Sequence, residues 1–154
     1  MITPEILSQL TAKTCRYSID ISDEPIRQDI ILSMQGIDPG KTAFMFYVYT
    51  GDIQSRHAFF ATLFMEVMQD PATQAWIRNR KHQGGYYPSI EALCLIAIME
   101  WGAERAYTQE GRAKLMGVSR GTWCRKYRDI YQYIFSVPSR WEREIIKIVA
   151  DRLR

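Results

Sequence analysis

Between residues 108 and 131 the sequence TQEGRAKLMGVSRGTWCRKYRDIY gathers side chains suited to hydrogen bonding and charge neutralisation rather than to bond making. Arg120, Arg125 and Arg128 carry guanidinium forks, which pair best with guanine O6 and N7, and Ser119 and Thr122 carry short hydroxyls that match several base edges. Gly121 among them keeps the start of the outward face small. These six are the candidate base contacts. Thr108, Gln109, Arg112, Lys114 and Lys126 are donors of the kind that grip phosphate oxygens and set register without reading sequence. Upstream, Arg78, Arg80 and Lys81 form a basic cluster able to reach flanking phosphates, although cations also suit the negative end of a helix dipole.

Two helices and a tight turn would position these groups. Thr108 is placed to cap a short first helix with Ala113, Leu115 and Met116 at its inner positions. Gly117 breaks it, Val118 plugs the turn, and Ser119 caps the next helix. In that second helix Trp123, Tyr127, Ile130, Tyr131 and Ile134 recur at helical spacing and must face a core. Gly121, Arg125, Arg128 and Gln132 fall on the opposite side, small at its start and cationic along its length. Two packed helices with solvated arginines would share much of this pattern. What favours a helix-turn-helix is the joint placement of Ala113, Gly117, Val118, Ser119 and Trp123 at that motif's offsets.

The rest of the chain reads as helix, so the expected class is all-α, a compact helical domain with a C-terminal helix-turn-helix. Thr3 and Pro4 start a helix over 4–14, residues 15–22 form a loop, and Ile26, Ile30, Ile31 and Met34 mark a second helix that stops near Gly36. IDPGK is a turn. TAFMFYVYTGD suits strand or helix; helix is preferred, with Ala43, Phe46, Tyr47 and Tyr49 inside. Phe60, Leu63, Phe64, Val67 and Met68 make the stripe of a core helix, and Asp70 with Pro71 starts another that ends at Gly84 and Gly85. GGYYPS links to a helix from Ser89 that is apolar almost all round and is expected to be central. Ser139 caps a last helix with Trp141, Ile145, Ile148, Val149 and Leu153 inside. Residues 1–84 thus make an acidic helical region suited to protein contact, and residues 85–154 the nucleic-acid-facing region with its packing helix.

Charge agrees with that division. The net charge of +3 hides a balance of −4 over residues 1–75 and +7 over 76–154, so the C-terminal part suits a polyanion. With 154 residues, 47% of them apolar, a sizeable core can form. There is no run of eighteen apolar residues and no signal-peptide pattern, which points to the cytoplasm and away from membranes. Cys15, Cys94 and Cys124 are scattered, and His57 and His82 stand alone, so neither a disulfide, a zinc site nor another cofactor is expected.

Two fragments look enzymatic. GIDPGKT at 36–42 falls one residue short of a phosphate loop. The same words resemble the start of RNase H-like Holliday-junction resolvases, where Asp38 would bind magnesium, but that fold needs a mixed sheet and further carboxylates. The expectation is a protein that is not an enzyme, with a magnesium-dependent DNA-processing enzyme as the alternative of another class.

The acidic helical front, the buried helix and AKLMGVSRGTWCRKYRDIYQYI near the C-terminus together resemble the small late-gene antitermination Q proteins of lambdoid phages, mainly over residues 88–137. The resemblance implies a factor that binds double-stranded DNA beside a phage late promoter in the bacterial host cell. It further implies engagement of bacterial RNA polymerase holoenzyme and read-through of terminators. Phage lambda Q carries a cysteine-rich zinc segment that is missing here, so the resemblance is to the zinc-free type. RKHQGGYYP before the motif is similar to the arrangement in the Mor and C activators of Mu-like phages, which brings a homodimer on a palindromic site as the alternative.

Overall fold

The computed structural model describes residues 32, 34–79 and 86–153, and among these there are helices and turns but no strand. The all-α class is therefore shown. The helices are α1 (Pro39–Thr50), α2 (Arg56–Gln69), α3 (Pro71–Asn79), α4 (Tyr86–Trp101), α5 (Gln109–Met116), α6 (Arg120–Thr122) and α7 (Arg128–Leu153). A 3₁₀ turn at Ile53–Ser55 precedes α2, and a π-helical stretch at Trp123–Tyr127 joins α6 to α7. The expected helix over 4–14, the loop at 15–22, most of the helix that follows, and Arg80, Lys81, His82 and the glycine pair lie outside the described residues.

The chain divides into two compact units, one of residues 1–59 with 138–154 and the other of residues 60–137. The division falls within α2 and within α7.

In the first unit the IDPGK turn proves to be a helix start. Asp38 Oδ1 accepts the amides of Gly40 at 2.9 Å and Lys41 at 3.2 Å, and Pro39 enters the first turn, where a missing N–H costs nothing. The ambiguous aromatic segment is thus helical, as expected, but its inner face differs. Phe44, Met45 and Val48 are buried with Ala43 and Tyr49, whereas Phe46 and Tyr47 are half-buried. The reason is the aromatic cluster they meet. The Phe44 ring lies 5.0 Å from Phe59 and 5.9 Å from Trp141, and Phe59 lies 6.2 Å from Trp141, all tilted or edge-on as ring quadrupoles prefer.

The second unit is built on α2, α3 and α4. Leu63 and Val67 are fully buried, while Phe60, Phe64 and Met68 are only half-buried, so the α2 stripe is centred on Phe59, Leu63 and Val67 instead of the expected line. Asp70 caps α3 as expected, accepting the Ala72 amide at 2.8 Å. α4 begins at Tyr86 rather than Ser89, which Pro88 allows because it sits in the first turn. It buries Ile90, Leu93, Cys94, Ala97, Ile98 and Trp101, yet Glu91, Leu95 and Met99 form an exposed edge, so the helix is central without being enclosed. Burial and the Glu91 charge push the Cys94 thiol up to about 12, and it is chemically quiet.

The largest departure is at Pro138. Ser139 does not cap a separate helix, since α7 runs unbroken from Arg128 to Leu153 with Pro138 inside it. A helix-interior proline costs about 3 kcal/mol through its missing donor and its clash with the preceding turn. Here Ile130, Ile134, Val137, Trp141, Ile145 and Val149 keep one buried stripe through it. Each fully buried large side chain contributes about 1.5–3 kcal/mol, so continuity wins. The same stretch also makes a tertiary contact: the Phe135 carbonyl accepts Trp101 Nε1 at 3.1 Å, with the two rings stacked at 4.9 Å.

Candidate nucleic-acid interface

Local rules account for each joint of the 108–132 segment. Thr108 Oγ1 accepts the Gly111 amide at 3.0 Å and caps α5, with Glu110 in the positive first turn. α5 closes with Gly117 at φ 76°, a left-handed conformation that a side chain would strain. The Gly117 amide bonds to the Lys114 carbonyl at 3.1 Å and the Val118 amide to the Ala113 carbonyl at 3.0 Å, which satisfies two orphan acceptors. Ser119 then caps α6, its Oγ accepting the Thr122 amide at 3.2 Å while donating to Thr122 Oγ1 at 3.0 Å.

The inward face of this segment is fixed by polar bonds as well as packing. Glu100 is 3% exposed at the end of α4. Arg112 donates to it through Nε and Nη2, both at 2.8 Å, and the Tyr131 hydroxyl donates to the same carboxylate at 2.7 Å. Arg112 Cζ lies 5.0 Å over the Tyr131 ring. The charge-assisted bond to Glu100 raises the Arg112 pKa, and burial, followed by its bond to Glu100, raises that of Tyr131. A second tie runs from Trp123 Nε1 to Gln109 Oε1 at 2.6 Å. α3 is held here too, with Trp76 Nε1 donating to the Lys126 carbonyl at 3.3 Å and its ring 6.1 Å from Tyr127.

The outward face is what the sequence pattern anticipated. Ser119, Arg120, Gly121, Arg125, Lys126, Arg128 and Gln132 are exposed, Thr122 is half-buried, and Trp123, Ile130, Tyr131 and Ile134 are buried. Thr108 and Lys114 are exposed and Gln109 half-buried. Arg78 is exposed on α3, while Arg80 and Lys81 fall outside the described residues. Two residues are placed otherwise than expected. Arg112, assigned to phosphates, is turned inward, because a buried carboxylate in the last turn of α4 needs its fork. Leu115, assigned to the core, is 48% exposed, since Ala113 takes the inner position of that short helix. Glu100 and Tyr131 were missed as a polar pair; the visible signal was a lone glutamate within the apolar run IMEW.

Chemically the arrangement offers donors and cations on one face, backed by a rigid interior. Among the described residues no three of His, Cys, Asp and Glu come together in a group able to hold a metal. No helix there is long and apolar enough to cross a membrane. No protein-family model matches the chain, and no curated protein or solved structure matches it significantly.

Breaking a buried ion pair from one side leaves an uncompensated charge, so Arg112→Ala should cost about 3–5 kcal/mol in urea unfolding. A change below about 1 kcal/mol would mean that the fork is not needed. Tyr131 binds its proton more tightly folded than unfolded. Its contribution is therefore complete below the ordinary tyrosine value near 10 and is lost as pH rises above it. The stability gap between the wild type and Tyr131→Phe should shrink between pH 9 and about pH 11; a constant gap would place the hydroxyl in water.

Proposed function

We propose that this chain is a sequence-specific DNA-binding regulator of transcription, with residues 108–132 acting as a helix-turn-helix. The observation that carries the reading is the two-sidedness of the helix from Arg120 onward. Its inner side is locked by Trp123 and Tyr131, and its outer side presents Arg120, Arg125, Lys126 and Arg128 at the end following the capped turn. A recognition helix enters the major groove by that end, where arginine forks discriminate best. Lys114, Lys126 and the exposed Arg78 are the phosphate contacts in this reading, and Arg112 has moved from that set to the scaffold.

The particular regulator that the sequence supports best is a phage late-gene antitermination factor acting with RNA polymerase. This rests on the resemblance over residues 88–137 and on the acidic balance of −4 over residues 1–75, which suits a protein partner. The reading involves no catalytic step and no cofactor.

The direct test is selection of genomic DNA fragments by the purified protein, with and without RNA polymerase holoenzyme, at two salt concentrations. A discrete site beside a promoter, bound more tightly with polymerase present, is expected, with affinity falling steeply as salt rises. Absence of any sequence-selective enrichment would reduce the segment to two packed helices. Within such a site Arg125→Ala should cost about 1–3 kcal/mol on matched DNA only, whereas Lys114→Ala should weaken matched and scrambled duplexes alike. Equal losses for Arg125→Ala on both duplexes would remove it from the base contacts.

A further inference from the structure

Gly121 has no conformational reason to be glycine. It is helical, its φ is not positive, and the three nearest side-chain atoms that a Cβ built there would meet all belong to Arg125. A glycine inside a helix is less stable than alanine by up to about 1 kcal/mol, so the missing side chain calls for another explanation. The contact supplies one. That Cβ would lie 3.1 Å from Arg125 Nη1, 3.8 Å from Cζ and 3.9 Å from Nη2, so the outer part of the guanidinium occupies the space beside residue 121 that a side chain would crowd.

We infer that Gly121 is a positioning residue for Arg125, and that Arg125 held in this way reads one guanine in the major groove. The inference rests on the DNA-binding reading given above. Helical side chains lean toward the N-terminus over the residue four positions earlier, which for Arg125 is Gly121. The fork is thereby laid toward the end of the helix that enters the groove, and the backbone beneath it is free to approach the bases. Neighbouring groups are less suited to the task. The Ser119 and Thr122 hydroxyls are bonded to each other, and Arg128 Nε lies 3.6 Å from Asp129. A methyl group at 121 would displace the guanidinium by a few tenths of an ångström, comparable with the tolerance of about 0.5 Å for a bidentate contact.

The experiment uses the full chain and a pool of duplexes randomised at their centre, with wild type, Gly121→Ala, Gly121→Ser and Arg125→Ala compared at one salt concentration. Gly121→Ala should melt at the same temperature as the wild type or higher. It should also lose preference roughly ten- to a hundredfold at a single G·C pair, the same pair to which Arg125→Ala becomes indifferent. Gly121→Ser should show the same localised loss. If both glycine variants keep that preference while Arg125→Ala loses it, the positioning role is overturned and the DNA-binding reading stands. Should Arg125→Ala keep every preference, Arg125 is not the reader. A wild type that selects no sequence would overturn the DNA-binding reading and this inference with it.

Discussion

A carboxylate buried at the end of an apolar helix cannot be left alone, and the Glu100 side chain organises its surroundings accordingly. Removing a charge from water costs several kcal/mol, which is offset only when partners satisfy its lone pairs in good geometry. Arg112 and Tyr131 meet that need from two different helices. Three elements, α4, α5 and α7, are thus tied at one point, and the direction in which α5 crosses the following helix is set there. The bond from Trp123 to Gln109, at the first residue of α5, supports the same crossing. These bonds anchor the segment that carries the outward arginine face.

This division between a buried, bonded interior and an exposed exterior explains why Arg112 and Arg125 sit in different surroundings despite the same side chain. Arg112 is close to Glu100 and pairs with it in a bidentate manner, at 14% exposure. Arg125 is exposed and faces away from the core, so its charge is available to a polyanion at the cost only of ordering a flexible side chain. The π-helical stretch between Trp123 and Tyr127 adds to this, since such turns frequently accompany functional positions in helices. It begins at the anchored Trp123 and contains both Arg125 and Lys126.

Much of the local structure was readable from residue types because local rules determine it. The caps at Thr108, Ser119 and Asp70 and the left-handed Gly117 follow from backbone groups that need partners within a few residues. The outward arginines followed from the apolar stripe beginning at Trp123. Reading failed where tertiary packing overruled a local signal. Pro138 marks a helix end by its own chemistry, yet the stripe from Ile130 to Val149 stays in phase across it, and that phase was the better guide. Likewise the inner faces of α1 and α2 differ in part from the expected ones, because Phe44 and Phe59 turn in to meet the Trp141 ring. Which arginine would turn inward was not visible, as it depends on a glutamate in another helix.

The central claim is that residues 108–132 form a DNA-reading surface carried on a rigid scaffold. Amide chemical-shift mapping of the isotopically labelled protein, titrated with a selected duplex and then with a scrambled one, tests it most directly. The account predicts saturable shifts concentrated from Thr108 to Gln132 for the selected duplex, with Glu100 and Tyr131 little changed and only weak, salt-labile shifts for the scrambled one. Indistinguishable responses to the two duplexes, or shifts centred elsewhere in the chain, would contradict it.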